Sequence, residues 1–414
     1  MEFNLKVLYF HQHFVTPKGA GAIRSYVMAR KLIEHGHSVT MVCGSAVGST
    51  TGLMGEFVSN VRRGGVDGID VIELNLQYSN NDSFIRRAAT FLRFAIRSVR
   101  IAFTENYDIV FATTTPLTAG IPGIVAAFFR RKPFVFEVRD LWPELPKAMG
   151  VIKNPVVLWA LARLERITYR SADRLIGLSP GIVAGIQRCG IPCDKISMIP
   201  NGCDLDIFDA DQPPWRPAAI DHEDLMAVYA GTHGIANGLH AVLEAARELQ
   251  KRSRNDIKIL LIGSGKLKRE LMASAEKYEL KNVVFHDPVS KDQLSGLMKT
   301  ADIGLQILAN VPAFYYGTSP NKFFDYLAAG VPVLNNYPGW LADMIAQQNC
   351  GFAIAPDDPV KFADTLEHAA DNRKELAEMG INAAALARSE FDRDKLAGRF
   401  VAWVEAAAGQ KAIL

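Results

Sequence analysis

Lys322 and Asp325 lie three residues apart at the start of a predicted helix. Ser319 and Pro320 predict that start, because a hydroxyl caps free amides and proline suits a first helical turn. Gly330 predicts the end of the helix, and an apolar run after it predicts a buried strand. We expect the helix amides and Lys322 to bind phosphate, and Asp325 to accept hydrogen bonds from ribose hydroxyls. A capped surface helix with a solvated lysine and aspartate explains this stretch equally well.

Other candidate residues directly follow predicted buried strands. Arg139 and Asp140 follow the run 133–138, and such positions lie at the carboxyl edge of a parallel sheet, where ligands bind. The alternative is a structural ion pair between the two. His11 and His13 follow the first strand and could orient an acceptor or a sugar. A buried histidine is more often a hydrogen-bonded core residue.

The elements that position these residues alternate as strand and helix along the chain. Gly19 and Gly21 form a loop between the first strand and a helix at 23–36, but the dinucleotide fingerprint is absent. A second strand and helix series begins at Met226. The pattern predicts an α/β protein with two doubly wound Rossmann-like domains that face each other across a cleft.

The proline-rich segment 209–223 is the predicted linker. We therefore expect an acceptor-side domain at 1–208 and a donor-nucleotide domain at 224–390. The remaining residues, 391–414, predict a helix that packs back toward the N-terminal domain.

Composition excludes several classes of protein. The 414 residues carry a formal net charge of only +2, which gives no overall case for nucleic-acid binding. The five cysteines are scattered without a CxxC pair, so buried free thiols in a reducing cytoplasm are expected. We find no signal peptide and no apolar run near the ~20 residues of a membrane-spanning helix.

Two further stretches of the N-terminal half carry predictions. Residues 84–103 predict an amphipathic helix with an apolar face, and with Arg86, Arg93, Arg97 and Arg100 on the other side. Core packing with a solvated arginine stripe is the favoured interpretation, and contact with an anionic membrane is the alternative. The expected apolar face is Phe84, Ala88, Phe91, Leu92, Ala95 and Val99. The glycine- and serine-rich region 44–82 predicts a mobile loop with one strand at 71–74.

Several motifs together resemble a known family. The chain is similar over nearly its whole length to the family-4 retaining glycosyltransferases of the GT-B fold, especially the WbuB-like enzymes of bacterial capsule and O-antigen synthesis. The order and spacing of the motifs carry the resemblance. They are Gly19–Arg24, Glu165 with Tyr169–Asp173, Ile199–Asp204 with Phe208, Gly263–Gly265, Asn282–Phe285, Ala301–Asp302 and Ser319–Val333.

The resemblance implies a nucleotide-sugar donor in the C-terminal half and an acceptor in the N-terminal half. It implies retained anomeric configuration, no cofactor and no divalent metal, so that cations and helix amides stabilise the departing diphosphate. Lys322, Arg139 and Asp140 are the expected catalytic residues, and His11, His13 and Arg24 are expected on the acceptor side. The expected donor-binding residues are Gly21, Gly231, Thr232, Gly265, Asp287, Val289, Ser319, Pro320, Asn321 and Asp325.

The sequence departs from the family pattern at three positions. Thr232 and Asn237 stand where many members have an arginine and a lysine, and Gly317 stands where the first of two acids is expected. Lys322 would then carry the phosphate charge, helped by Arg139.

These inferences predict a peripheral glycosyltransferase at the inner face of the cell membrane. It would move an N-acetylated hexosamine or deoxyhexosamine from a UDP-sugar to a lipid-linked saccharide in lipopolysaccharide, O-antigen or capsule synthesis. Two alternatives remain: a UDP-sugar epimerase of the same architecture, and a non-catalytic protein that binds sugar nucleotides.

Overall fold

A computed structural model of the chain describes residues 4–19, 22–46, 50–78 and 82–412. The described chain forms two compact units. Unit 1 comprises the residues up to Pro200, Gly317–Ser319 and the residues from Asp394 onward, and unit 2 comprises Asn201–Tyr316 and Pro320–Arg393.

Unit 1 is built on a twisted sheet with helices between its strands. Its strands are β1 (Lys6–Phe10), β2 (Ser38–Ala46), β3 (Val61–Val66), β4 (Ile69–Tyr78), β5 (Ile109–Thr113), β6 (Phe134–Val138), β7 (Arg174–Gly177) and β8 (Ile196–Met198). Its helices before residue 200 are α1 (Arg24–Glu34), α2 (Phe84–Thr104), α3 (Ile121–Phe129), α4 (Glu144–Ala148), α5 (Pro155–Ser171) and α6 (Pro180–Arg188), with short 3₁₀ turns at Leu117–Gly120 and Cys193–Lys195. The strand order is β3-β4-β2-β1-β5-β6-β7-β8, and each described pairing is parallel except that of β3 with β4.

The prediction of a mobile loop over 44–82 is wrong for the described part of that region. β3 and β4 form an antiparallel hairpin in which Val66 pairs with Ile69. The two residues between them, Asp67 and Gly68, have φ angles of 48° and 84°. A two-residue hairpin turn of this type needs positive φ at both positions, which an Asp-Gly pair supplies. The Asp-Gly pair was the overlooked signal.

Helix α2 forms as predicted, but of the six residues of its expected apolar face only Ala95 is buried. Phe94, Ala95 and Ala102 are buried, whereas Leu92 is 54% exposed. Ile85 and Ile96 are also exposed, at 79% and 61%. The helix packs against α3 and β4 through a face centred on Phe94, which leaves an apolar stripe in solvent. Among the helices that the structure describes, none combines the length and apolar character needed to cross a membrane.

Unit 2 has a fully parallel sheet in its described part. The strands are β9 (Leu225–Ala230), β10 (Ile257–Ile262), β11 (Val283–His286), β12 (Ile303–Gln306), β13 (Val333–Asn335) and β14 (Gly351–Ala353), in the order β11-β10-β9-β12-β13-β14. The helices are α7 (Leu205–Asp209), α8 (His240–Lys251), α9 (Lys268–Lys277), α10 (Lys291–Met298), α11 (Pro312–Gly317), α12 (Asn321–Ala328), α13 (Trp340–Gln348), α14 (Pro359–Asp371) and α15 (Arg373–Glu390), with a 3₁₀ turn at Ile235–Asn237.

The last helix, α16 (Arg393–Ala412), belongs to unit 1 from Asp394 onward. Its residues Leu396, Phe400 and Val404 are buried in the core of that unit, where the Phe400 ring lies 4.9 Å from the Phe111 ring. Burial of such side chains stabilises a fold by about 1.5–3 kcal/mol each. The end of the chain is therefore an integral part of unit 1.

Local sequence signals explain where several helices begin. Asn154 caps α5 and Ser179 caps α6, and a proline follows each cap at the first helical position. Ser290 and Gln293 form a reciprocal capping box at the start of α10. These caps fix the first turns of the three helices.

Candidate functional site

Loops that follow three neighbouring strands of unit 2 line a pocket of about 270 Å³. Strands β9, β10 and β11 are parallel neighbours, so their carboxyl ends meet at one edge of the sheet. The pocket is lined by Ala230, Gly231, Thr232, Ile262, Gly263, Ser264, Pro288, Val289 and Leu294. The predicted donor-binding residues Gly231, Thr232 and Val289 thus share one pocket, where ligands bind in open α/β sheets.

Glycine is required where the pocket loops approach each other. A Cβ on Gly263 would lie 1.8 Å from the carbonyl oxygen of Gly231, and a Cβ on Gly265 would lie 2.5 Å from that of His233. Both distances are far below van der Waals contact. The glycine motif therefore brings two backbone loops together, which is the physical reason for its place in this sequence.

Lys322 reaches from α12 to the first of these loops. Its Nζ donates to the Tyr229 hydroxyl at 3.1 Å and to Asn237 Oδ1 at 3.4 Å, and it lies 4.4 Å from the centre of the Tyr229 ring. Its Cε would be 3.0 Å from a Cβ on Gly231. Burial lowers the pKa of Lys322 to about 8, although Asp325 opposes that shift. The lysine is partnered by neutral groups, so an anion at this edge would stabilise its charged form.

Helix α12 begins with Asn321, and Pro320 occupies its N-cap position. The proline side chain has no acceptor atom, so Pro320 itself does not cap the helix. The first amides of a helix have no intrahelical partner and suit a ligand or water.

Asp325, which the sequence analysis assigns to ribose hydroxyls, is buried and has a charged partner within the protein. It is 8% exposed, and its Oδ1 accepts a hydrogen bond from Lys291 Nζ at 2.8 Å. Lys291 Nζ also donates to Asp204 Oδ2 at 2.7 Å, and Arg393 forms a 2.5 Å ion pair with Asp204 Oδ1. Asp325 therefore belongs to a buried charge network that ties α12 to α10 and to the loop before α7.

The other predicted carboxylate of unit 2, Asp287, is exposed and partnered. Its Oδ1 accepts from Lys268 Nζ at 2.7 Å, and this hydrogen bond lowers the pKa of Asp287. Lys268 also donates to the carbonyls of Gly263 and His286, at 2.9 and 3.0 Å. Lys268 thus ties together the ends of β10 and β11 beside the pocket.

Arg24 has a structural position in unit 1. Its guanidinium is 2% exposed, and Nε and Nη2 donate to Glu137 Oε2 at 2.9 and 2.8 Å. Nη1 donates to the Pro200 carbonyl at 2.7 Å, and Nη2 also donates to the Ile199 carbonyl at 2.8 Å. A buried guanidinium whose nitrogens all donate within the protein is not placed to bind an acceptor, so the acceptor-side prediction for Arg24 is corrected.

Arg139 shares the same carboxylate instead of pairing with Asp140. Its Nε donates to Glu137 Oε1 at 3.0 Å and to Thr113 Oγ1 at 2.8 Å, and its Nη2 donates to Ser25 Oγ at 2.7 Å. Burial alone would raise the pKa of Glu137, but the guanidiniums of Arg24 and Arg139 outweigh it and lower that pKa to about 2. The expected ion pair of Arg139 with Asp140 is not formed.

Asp140, His11 and His13 lie near Arg139 at the carboxyl edge of the unit 1 sheet. Asp140 Oδ2 accepts from Thr115 Oγ1 at 3.2 Å, and burial raises the pKa of Asp140. Burial and the charge of Arg139 lower the pKa of His11, and they lower that of His13 to about 4. Both imidazoles are therefore neutral at pH 7.

Three residues of these sites were missed in the sequence. Lys291 and Lys268 hold the two carboxylates of unit 2, and His233 is fully buried between the glycine loops. Each of the two lysines lies in the first turn of a helix that follows a strand, a signal that could have found them. The predicted residue Gly21 lies outside the described residues.

Several solved structures share the fold of this chain. Unit 1 and unit 2 match the GT-B glycosyltransferases, including sucrose-phosphate synthase from Thermosynechococcus elongatus (TM-score 0.73, 16% identity, 97% of this chain and 99% of the other). WaaG, a glycosyltransferase of lipopolysaccharide biosynthesis, matches with a TM-score of 0.67, 17% identity and coverage of 96% and 99%. Anabaena HepE in complex with UDP and glucose matches with a TM-score of 0.67 and 15% identity. The match covers 97% of this chain and 100% of HepE.

Two family models match consecutive parts of the chain. The "Glycosyl transferase 4-like domain" matches residues 19–202, and "Glycosyl transferases group 1" matches residues 214–386. Together they span most of the sequence. The chain therefore belongs to the glycosyltransferases with this pair of domains and the GT-B fold.

Several curated relatives match part of the chain. A D-inositol 3-phosphate glycosyltransferase of Xylanimonas cellulosilytica is 25% identical over 263 residues, which is 58% of this chain and 57% of the relative. The D-rhamnosyltransferase WbpZ of Pseudomonas aeruginosa is 23% identical over 247 residues, 58% and 61% of the two chains. An O-antigen chain mannosyltransferase of Escherichia coli is 28% identical over 138 residues, which is 33% of this chain and 35% of the relative. The matched segment spans at most about three fifths of these relatives.

Proposed function

We propose that this glycosyltransferase moves a sugar from a UDP-sugar to a lipid-linked saccharide, with retention of the anomeric configuration. The sugar is an N-acetylated hexosamine or deoxyhexosamine, and the product belongs to an O-antigen or capsule of the WbuB-like type. The observation that carries the proposal is the position of Lys322. Its Nζ contacts Asn237, which stands where the resemblance places the family's lysine, so the helix supplies a cation that the loop lacks.

The pocket of unit 2 and Lys322 together suit a nucleoside diphosphate. Backbone loops close the floor of the pocket, and the N-terminal amides of α12 and Lys322 would offer hydrogen bonds and charge to phosphate oxygens. Asp325 is already neutralised by Lys291, so it adds little repulsion toward an anion. HepE, a protein of this fold, binds UDP and glucose, which supports the choice of donor.

The proposed chemistry requires stabilisation of the leaving group and assigns no general base. The bond between the anomeric carbon and the diphosphate oxygen breaks, and the acceptor oxygen bonds to the same face of the sugar. The departing phosphate takes the proton of the acceptor hydroxyl, while Lys322 stabilises the developing negative charge. Asp140 and the neutral imidazoles of His11 and His13 would orient the acceptor. We propose that the reaction uses no cofactor and no metal ion.

A peripheral contact with an anionic membrane is part of the proposal. Helix α2 exposes Ile85, Leu92 and Ile96 beside Arg93 and Arg100. An apolar stripe flanked by cations is typical of helices that lie in a membrane interface. We place the protein at the cytoplasmic face of the membrane, where it would meet a lipid-linked acceptor.

The test uses purified protein, a panel of UDP-sugars and a polyprenyl-diphosphate saccharide. We expect a lengthened glycan whose new linkage keeps the donor's anomeric configuration by NMR, with turnover unchanged by EDTA. Lys322→Ala should abolish product, and Lys374→Ala, at an exposed lysine of α15, should not. Conversion of the free donor sugar would favour the epimerase. Binding of donor without any turnover would favour the non-catalytic alternative.

A further inference from the structure

Unit 1 contains an apolar cavity of about 370 Å³ next to its candidate residues. Phe84 and Phe91 of α2, Leu145 of α4, Met149 directly after it, and Leu161 of α5 are among the side chains that line it. The volume lies in the range of sites that hold a small molecule. Five apolar side chains from three regions of the chain therefore surround a space that suits a nonpolar ligand.

The cavity lies at the carboxyl edge of the sheet. Tyr78 ends β4, Thr115 follows β5 and Asp140 follows β6, and all three line it. The Tyr78 ring lies 4.6 Å from the His13 ring. The cavity is thus continuous with the residues that we propose to orient the acceptor, so its ligand and the acceptor saccharide can be parts of one molecule.

Arg87 is a cation on the wall of this cavity. Its Nε is buried and has no hydrogen-bond partner among the described residues, and no ion pair of Arg87 is found there either. A buried, unpartnered guanidinium nitrogen is costly unless an anion or acceptor satisfies it. The charge of Arg87 therefore favours a ligand with an anionic group next to its apolar part.

We infer that the cavity binds the first apolar segment of a polyprenyl diphosphate, the lipid that carries the acceptor saccharide, and that Arg87 binds one of its phosphates. This inference rests on the proposed function, because it assigns a site to the proposed acceptor. The apolar chain of such a lipid matches the apolar wall of the cavity, and its anionic link matches Arg87. The hydroxyl-bearing sugar matches Asp140. The outward-facing stripe of α2, on the helix that also carries Arg87, would let the lipid enter from a membrane.

Binding of farnesyl phosphate, with farnesol and inorganic phosphate as partial probes, tests the inference by calorimetry on the full chain. We expect farnesyl phosphate to bind more tightly than either partial probe. Met149→Trp should fill the cavity and weaken binding of farnesyl phosphate by more than about tenfold. Leu92→Trp, on the exposed side of α2, is the matched control and should leave it unchanged.

The charge is tested separately with Arg87→Gln. This change should weaken the binding of farnesyl phosphate by about tenfold and leave the binding of farnesol unchanged. Arg93→Gln on the same helix should change the affinity for neither ligand. UDP affinity, which reports on unit 2, and thermal melting of each variant show that the protein is folded. If the wild type, Met149→Trp and Arg87→Gln all bind farnesyl phosphate with equal affinity, the inference is overturned.

Activity distinguishes failure of this inference from failure of the proposed function. Transfer to a lipid-linked acceptor with an unchanged KM in Met149→Trp would overturn the cavity assignment and keep the function. Binding of farnesyl phosphate with the expected variant effects, but without any sugar transfer, would support the cavity and overturn the function. A raised KM for the acceptor with unchanged UDP affinity is the expected result.

Discussion

The two units each contain a buried charge network, and the two networks have opposite arrangements of charge. In unit 1 one carboxylate, Glu137, lies between two guanidiniums, Arg24 and Arg139. In unit 2 one ammonium, Lys291, lies between two carboxylates, Asp204 and Asp325. The first network has an excess positive charge, whereas Arg393 brings the second to neutrality.

This difference explains how the neighbouring groups titrate. The extra positive charge of unit 1 helps burial to lower the pKa values of His11 and His13. In unit 2 the carboxylates are neutralised within the network, so burial dominates and lowers the pKa of Lys322. Unit 1 therefore offers neutral hydrogen-bonding groups, and unit 2 offers a cation ready to be stabilised by an anion.

The largest expected effect comes from removing the central charge of unit 1. Glu137→Gln leaves the buried guanidinium of Arg24 and the half-buried guanidinium of Arg139 without their carboxylate, and we expect it to lower the free energy of unfolding by about 3–5 kcal/mol. Urea denaturation measures the change. Glu144→Gln, which breaks an exposed pair with Arg188, is the control and should cost at most about 1 kcal/mol. Equal effects of the two substitutions would show that the buried network is not important for stability.

Removing the central charge of unit 2 should have a smaller effect. Lys291→Met deletes two charge-assisted hydrogen bonds and leaves two buried carboxylates side by side, but Arg393 still neutralises one of them. We expect a loss of about 2 kcal/mol of unfolding free energy. Lys322→Met, whose partners are neutral, should change stability much less in the same denaturation experiment. A larger loss of stability in Lys322→Met than in Lys291→Met would contradict our assignment of Lys291 as a structural lysine and Lys322 as a ligand-binding lysine.

For ligand affinity, in contrast to stability, substitution of Lys322 should have a larger effect than substitution of Lys291. Lys322→Ala should weaken UDP binding by about 10- to 100-fold, since a hydrogen bond to a charged group contributes about 1.5–3 kcal/mol. Isothermal calorimetry measures this, with Lys374→Ala as the control. UDP affinity that survives Lys322→Ala combined with Asp325→Ala would remove the basis of the proposed function.

The pH dependence of UDP binding should report the titration of Lys322. The protonated form binds the anion, and the pKa in the free protein is about 8, so affinity is full below pH 8 and falls as pH rises through it. Between pH 8 and the higher pKa of the complex, the decrease should approach about tenfold per pH unit. The phosphates of UDP keep a constant charge in this range, because the last pKa of a terminal phosphate is about 6. Lys322→Arg should remove the dependence.

The smallest expected effect lies outside both networks, on α2. Arg93→Gln should weaken binding to phosphatidylserine vesicles by about 1 kcal/mol, the contribution of one surface cation at an anionic bilayer. Vesicle sedimentation at low and high salt measures it. Arg97 contacts the carbonyl of Asn60 at 3.2 Å, so it is less suitable for this test. Vesicle binding that is insensitive to Arg86→Glu combined with Arg93→Glu would exclude this surface.

The sequence predicted the βα order, the helix with Lys322 and the candidates at the strand ends because each rests on local signals. Buried strands, glycine stops and proline at the first turn depend on residues close together in the chain. The hairpin of β3 and β4 shows the limit, because β3 (VRRGGV) has few apolar residues and the Asp-Gly pair was its remaining local signal.

The ion-pair partners of individual charged residues could not be predicted in the same way. Arg24 and Glu137 are 113 residues apart, and Lys291 meets Asp204 and Asp325 over 87 and 34 residues. A local signal such as the first-turn position of Lys291 marks a residue as a candidate, but it does not tell an ion-pairing residue from a ligand-binding one. For this reason Arg24 and Asp325 were assigned to ligands, while Lys291 was overlooked.

The sequence by itself determined the two α/β halves, the glycine loops and the lysine at the start of α12, since hydrophobic period and turn chemistry act over short distances. The tertiary structure alone decided which charges neutralise each other and which remain for a ligand. The reason is that desolvation and ion pairing depend on distances and burial, which arise only when strands distant in the chain come together.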